Sequence, residues 1–140
     1  MVAFTLMLLG MLVFAITLAN YGNAIAQNTE DFFLEEKTLA VADSLVKNNN
    51  PENYLLGACI VDAEKKRVRG SELSGALLAQ AKPFALEGFF VKSVSIARAG
   101  KPKQQINLSE KVSEKCLSAK RFALVDNEKA IIEIEGCVDE

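Results

Sequence analysis

The chain has 140 residues, half of them hydrophobic, with 16 basic and 18 acidic side chains and no histidine. This length leaves room for one small domain beside any extended element, and a near-neutral balance offers no electrostatic footprint for nucleic acid. The missing imidazole excludes histidine-containing metal sites and the usual Ser-His and Cys-His catalytic pairs.

Residues 1–19 carry no charge, and the first base anywhere is Lys37. At about 1.5 Å per residue a helix of some 19 residues spans roughly 28 Å, close to the apolar thickness of a bilayer. Such a run is either a membrane span or a rod buried among copies of itself. No proline interrupts the chain before Pro51, and apolar residues recur at sevens as Phe4, Met11, Leu18, Ile25, Phe32, Leu39 and Val46. A straight helix drifts by about 20° per seven residues, so this stripe winds slowly round the rod and can serve more than one neighbour. After Gln27 the pattern turns amphipathic: Phe32, Phe33, Leu39, Ala42, Leu45 and Val46 alternate with Asp31, Glu35, Glu36, Lys37, Asp43 and Lys47. The second half of the rod is therefore expected to lie on a folded domain. Its end is expected at Lys47-Asn48-Asn49-Asn50-Pro51, where a terminal lysine, asparagines tolerant of left-handed conformations and a proline coincide.

The leading apolar run lacks the Lys or Arg that normally precedes a secretory segment. Either a basic leader has been removed or the numbering starts at a mature residue. A cleaved secretory signal is the competing reading, weakly supported by the small residues Ala24-Ile25-Ala26.

The fold class expected is α+β: a long N-terminal helix over about residues 1–48, carrying a small β-rich head over 49–140 with one short helix. Tyr54–Val61 reads as a strand and Asp62–Lys66 as a turn into Arg67-Val68-Arg69. The basic cluster Lys65, Lys66, Arg67 and Arg69 suits an anion site or, better, a solvated edge strand protected by its charge. Ser71 has the chemistry of a helix N-cap, with Glu72 in the first turn and Lys82-Pro83 ending that helix by Ala81. Gly88–Arg98 reads as a strand, Ala99-Gly100-Lys101-Pro102 as a turn, and Lys103–Leu108 as the returning strand. Asn107-Leu108-Ser109 is an N-glycosylation sequon, meaningful if the head lies outside the cell.

Cys116–Val125 and Glu128–Val138 form the clearest hairpin, joined at Asp126-Asn127. With a two-residue loop, Cys116 lies opposite Cys137, Ser118 opposite Glu135, Lys120 opposite Glu133 and Phe122 opposite Ile131, all on one face. A disulfide between Cys116 and Cys137 is the preferred reading, leaving Cys59 as a small buried hydrophobe. The alternative pairs Cys59 with one of the others and shifts the register. No CxxC pair is present, and three lone thiols make a poor metal cage. Glu133 and Glu135 share a strand face, where partnership with lysines such as Lys120 is the ordinary reading. No catalytic, cofactor-binding or metal-ligating residue is expected, and no cofactor.

Phe4-Thr5-Leu6, opening an uncharged run that passes unbroken into a long amphipathic helix, resembles the mature N-terminus of type IV pilins. Ala42-Asp43-Ser44-Leu45-Val46-Lys47-Asn48, Gly57-Ala58-Cys59, Asp62–Val68 and Cys116–Val125 are similar to stretches of archaeal pilin-like proteins, so the resemblance covers most of the chain. It implies a precursor with a short basic leader removed by a prepilin peptidase, pilus assembly machinery as partner, and subunits whose helices bundle into a filament core. It also implies residence in the membrane before assembly, then an extracellular or cell-surface location, often with glycosylation. Phe4, Leu8, Met11, Phe14, Leu18, Ile25, Phe32 and Leu39 are the expected filament-core contacts. One departure is Leu8 where many bacterial relatives carry a glutamate at the fifth mature position, which leaves a major or a minor subunit open. The expected function is thus a homo-oligomeric filament subunit, or alternatively a single-pass anchored surface or minor pilin-like accessory protein with a partner-binding head. A pilus-linked redox or catalytic protein would need a cofactor for which no ligands are present.

Overall fold

The computed structural model describes residues 2–139, with side chains from Gly10 onward. The chain is α+β: helix α1, Val2–Lys47, precedes a curled mixed sheet of seven strands. Its chain order is β1 (Cys59–Asp62), β2 (Arg67–Leu73), the short helix α2 (Gly75–Leu78), β3 (Ala85–Leu86), β4 (Phe89–Arg98), β5 (Gln104–Asn107), β6 (Cys116–Val125) and β7 (Glu128–Val138). Spatially the order is β1-β2-β6-β7-β4-β3, with β5 pairing β4 beyond β3's short reach. Every pairing is antiparallel except β2 with β6, which run parallel through Glu72–Leu73 and Leu124–Val125.

Two compact units divide the chain, Met1–Phe33 and Leu34–Glu140. The division falls before the end of α1 because the last turns of that helix carry core side chains of the second unit. Leu34, Val41, Ala42, Leu45 and Val46 are buried in one cluster with Leu73, Phe89, Val94, Ile96, Ile132 and Ile134. Their spacing of three and four residues is that of one helix face. Thr38 sits in the same face, fully buried, and its hydroxyl donates to the Leu34 carbonyl at 2.7 Å. Gly136 on β7 makes this approach possible, since a methyl group there would collide with the Thr38 hydroxyl and the Phe89 ring.

α1 ends at Lys47, where the asparagines and proline place its end. Its last carbonyls are taken up by the chain that follows: the Ala58 amide donates to Leu45 O and the Cys59 amide to Asn48 O at 3.0 Å. Gly57 permits this return, because a Cβ there would lie 2.7 Å from the Asn48 carbonyl carbon.

Tyr54–Val61 is only half a strand. Tyr54–Leu56 is a 3₁₀ turn whose N-cap, Asn53, accepts from the Leu55 amide at 3.0 Å, and the strand begins at Cys59. Ser71 is not a helix cap. It lies within β2 with φ 65°, where the β1–β2 register slips between Cys59 and Val61. Pairing to β1 and β6 outweighs its local capping chemistry, and Ser74 takes that role, accepting from the Leu77 amide. The helix closes at Leu78, within the limit that Lys82-Pro83 sets at Ala81.

Replacing Gly136 with alanine forces the Thr38 and Phe89 side chains apart, and overpacking of this kind costs about 1–3 kcal/mol. Thermal unfolding followed by circular dichroism is expected to show a melting temperature lower by at least about 4 °C, whereas Gly70→Ala, in open space with no left-handed φ, does not touch the α1 interface and serves as the control.

Candidate assembly surface

The described residues of α1 from Gly10 to Phe33 are all exposed. They include Phe14, Leu18, Tyr21 and Ile25, each more than half exposed, and Phe32 at 68 %. A helix apolar on most sides through residues 11–19 is of the type found buried in larger assemblies or in lipid. Helical spacing then separates two lines. Asn20, Asn23, Gln27 and Asp31 follow one another at threes and fours and run into the docked row Leu34, Thr38, Val41 and Leu45. Met11, Phe14, Leu18, Tyr21, Ile25 and Phe32 form a different line, to which the sevens belong.

Of the expected filament-core contacts, Phe4 and Leu8 lie outside the residues whose side chains are described. Met11, Phe14, Leu18, Ile25 and Phe32 are exposed along the second line. Leu39 is half-buried and packs against the core of its own head, and Val46 is wholly inside it. The drift of a sevens stripe, about 40° over these two heptads, turns it toward the docked side, and at the helix end Val46 lies within the core. Phe32 and Phe33, counted in the sequence with the docking face, stay outside. Leu34, Thr38 and Val41 dock in their place, with Leu45 one turn further on.

An ion pair also holds the helix to the sheet. Asp43 accepts from Arg121 Nε on β6 and pairs with Lys47 Nζ at 2.9 Å. The Lys47 ammonium, and after it the Arg121 guanidinium, hold the Asp43 carboxyl below its ordinary pKa.

The hairpin register is the expected one, Cys116 opposite Cys137 through Phe122 opposite Ile131. Asp126 and Asn127 both take positive φ, 52° and 68°, as a tight two-residue turn demands. Cys116 and Cys137 form a disulfide, and Cys59 is free and buried, its thiol pKa pushed up by burial. Glu135 lies near both sulfurs, but with the thiols joined no thiolate is on offer to a metal.

The hairpin face carrying the disulfide is the outer one, turned away from the buried row Ala119, Ala123, Ala130, Ile132 and Ile134. At one end it bears a polar cleft of about 350 Å³ lined by Ser93, Ser95, Lys103, Gln105, Ser118 and Glu133. Glu133 is bonded by Lys103 at 2.7 Å and flanked by Lys120 at 3.6 Å, which keeps it ionised below its ordinary pKa. Glu135 accepts from Ser93 Oγ at 3.0 Å and pairs with Lys92. Both carboxylates are occupied partners of lysines, an arrangement unlike a general acid with its base. Asn107 is exposed in β5, in register with Ser93, and its Oδ1 accepts from Gln105 Nε2 at 3.1 Å. The basic cluster is likewise solvated: Arg69 pairs with Asp62 at 3.1 Å and with Glu72, and Lys65, Lys66 and Arg67 are exposed at a β1–β2 hairpin whose β1 is the sheet edge.

At the other end of the outer face the Phe122–Ile131 pair is uncovered, with Phe122 82 % exposed. The sequence places these two together but does not reveal that no part of the head shields them.

Among the described residues no helix is long and apolar enough to cross a membrane. The uncharged run 1–19 begins in residues whose side chains are outside the described part. Comparison with protein-family models, with curated proteins and with solved structures finds no match for this chain.

Non-reducing peptide mapping is expected to recover the Cys116 and Cys137 peptides linked and Cys59 free. Reduction, which reopens a loop closed across a separation of 21 residues, is expected to lower the stability of the head by about 3 kcal/mol in denaturant titration. Acid titration tests the Asp43 bridge. A carboxyl whose folded pKa is depressed contributes stability above its ordinary value near 3.8 and loses that contribution as pH falls through the folded value. Stability of the wild type therefore declines from about pH 4 downward, and Asp43→Asn removes Asp43's share of that decline while leaving Glu133's, read as a shallower acid limb in denaturant midpoints.

Proposed function

We propose that this chain is a structural subunit of an extracellular type IV pilus-like filament, polymerising through its N-terminal helix. The observation that carries the reading is the line of large apolar side chains on α1, Met11, Phe14, Leu18, Ile25 and Phe32, exposed along a helix of 46 residues. At about 70 Å such a helix is more than twice the apolar thickness of a bilayer. The exposed line itself runs about 32 Å from Met11 to Phe32 and continues past the charged Glu30 and Asp31, beyond where a lipid-facing span would stop. Side-by-side packing of many copies has use for it there. The likeness of Phe4-Thr5-Leu6 and the apolar run to type IV pilin N-termini supports the same reading, with the membrane as residence before assembly and a prepilin peptidase and pilus machinery as partners. Asn107, exposed on the outer face, is the position a glycan would occupy in an exported head.

The second reading is a single-pass anchored surface protein or minor pilin-like accessory protein whose head binds a partner. The exposed Phe122–Ile131 pair is the observation in its favour.

Negative-stain images of sheared cell-surface material are expected to contain fibres that include this chain, and Leu18→Arg together with Ile25→Asp is expected to abolish them while the soluble fold of residues 34–139 is kept. Material recovered only as single molecules in detergent points to the anchored protein instead.

A further inference from the structure

The outer face of the head ends in an apolar trough. Phe122, Ile131 and Ala97 stand side by side on β6, β7 and β4 in the observed register. Two clefts flank the Phe122 ring: one of about 390 Å³ beside Ser71, Glu72 and Leu124, the other of about 430 Å³ beside Ala97, Ala99 and Ile131. Lys129 lines both, is exposed, and makes no ion pair among the described residues. Arg98, also lining the second cleft, is engaged by Asp126 and Glu128, and Glu72 by Arg69. Lys129 is thus the cation left to the rim of this open aromatic surface, whose chemistry suits an apolar, acidic partner.

The chain itself carries a segment of that chemistry. Residues 1–36 hold four acids and no base. At the end of that stretch Phe32 is 68 % exposed, with Glu35 and Glu36, both exposed, three and four residues on, where a helix brings them beside it. Neither Glu35 nor Glu36 makes an ion pair among the described residues. Ile25, seven residues before Phe32, extends the same line. By helical spacing that line falls well away from the docked row Leu34, Thr38, Val41 and Leu45, so seating it on a neighbour leaves the helix's own attachment intact.

We infer that the trough around Phe122 receives α1 of a second copy of this chain, with Phe32 as the inserted side chain and Glu35 and Glu36 facing Lys129. The inference rests on the filament reading and deepens it, naming a head-to-helix contact between successive subunits and moving Phe32 from the helix core to that contact. The mode is a helix laid into an apolar groove, with charge fixing its register. Because the two surfaces are different, the contact is heterologous, and repetition of it propagates an open helical chain or closes a ring.

The test uses full-length chains. A Phe32→Cys chain and a Phe122→Cys chain are assembled together and mildly oxidised; Cys59 is buried and Cys116 and Cys137 are already joined. A covalent 32–122 dimer is expected, and Lys129→Glu in the Phe122→Cys chain is expected to reduce its yield by roughly tenfold. Glu35→Lys with Glu36→Lys in the partner chain is expected to restore it. Absence of the 32–122 link, a link only between position 32 of two copies, or capture of a different protein by position 122 each overturns the inference. Fibres without the link refute this contact and leave the filament reading standing, whereas the link without fibres refutes the filament reading and leaves the contact.

Discussion

Everything in the head depends on the seating of the last turns of α1 against the sheet. The two meet closely because Gly136 has no side chain, so the buried Thr38 and the Phe89 ring can fill the space over β7. A sheet with one open face cannot bury enough apolar surface alone. Here the second layer comes from Leu34, Val41, Ala42, Leu45 and Val46, and the core is theirs as much as the strands'. The Asp43–Arg121 pair, the Ala58 amide on Leu45 O and the Cys59 amide on Asn48 O tie the helix end to the chain around it. The compact unit starting at Leu34 is a consequence of that seating.

The same helix therefore has two employments. One row of side chains is consumed by the head, and its continuation toward the N-terminus, Asp31, Gln27, Asn23 and Asn20, is polar. The apolar line through Phe14, Leu18, Ile25 and Phe32 remains exposed. In the proposed filament that division lets a subunit fold before it assembles, since the surfaces for folding and for assembly are different residues. The outer face of the head shows a comparable split, polar around Ser93, Ser95 and Glu133 and apolar around Phe122.

What was legible in the residues alone came from short-range rules. Asp126-Asn127 set a two-residue turn, and the turn set every pair of the β6–β7 hairpin, including the disulfide. Lys47 and the asparagines before Pro51 set the end of α1. Where a local rule had a long-range competitor, it lost. Ser71 has capping chemistry but lies inside β2, where the neighbouring Glu72 and Leu73 pair with β6, distant in sequence. Tyr54-Leu55-Leu56 is apolar enough for a strand, yet Asn53 and the return onto the helix end wind it into a turn.

The sequence by itself determined the α+β class, the long leading helix, its end and the hairpin register, because these follow from periodicity and turn chemistry within a few residues. Only the tertiary structure decided which row of α1 docks, that Leu39 and Val46 belong to the subunit's own core, and that Phe122 is uncovered. Those outcomes hang on rotations of tens of degrees about a helix and on which face of a sheet is closed, and no local pattern encodes them.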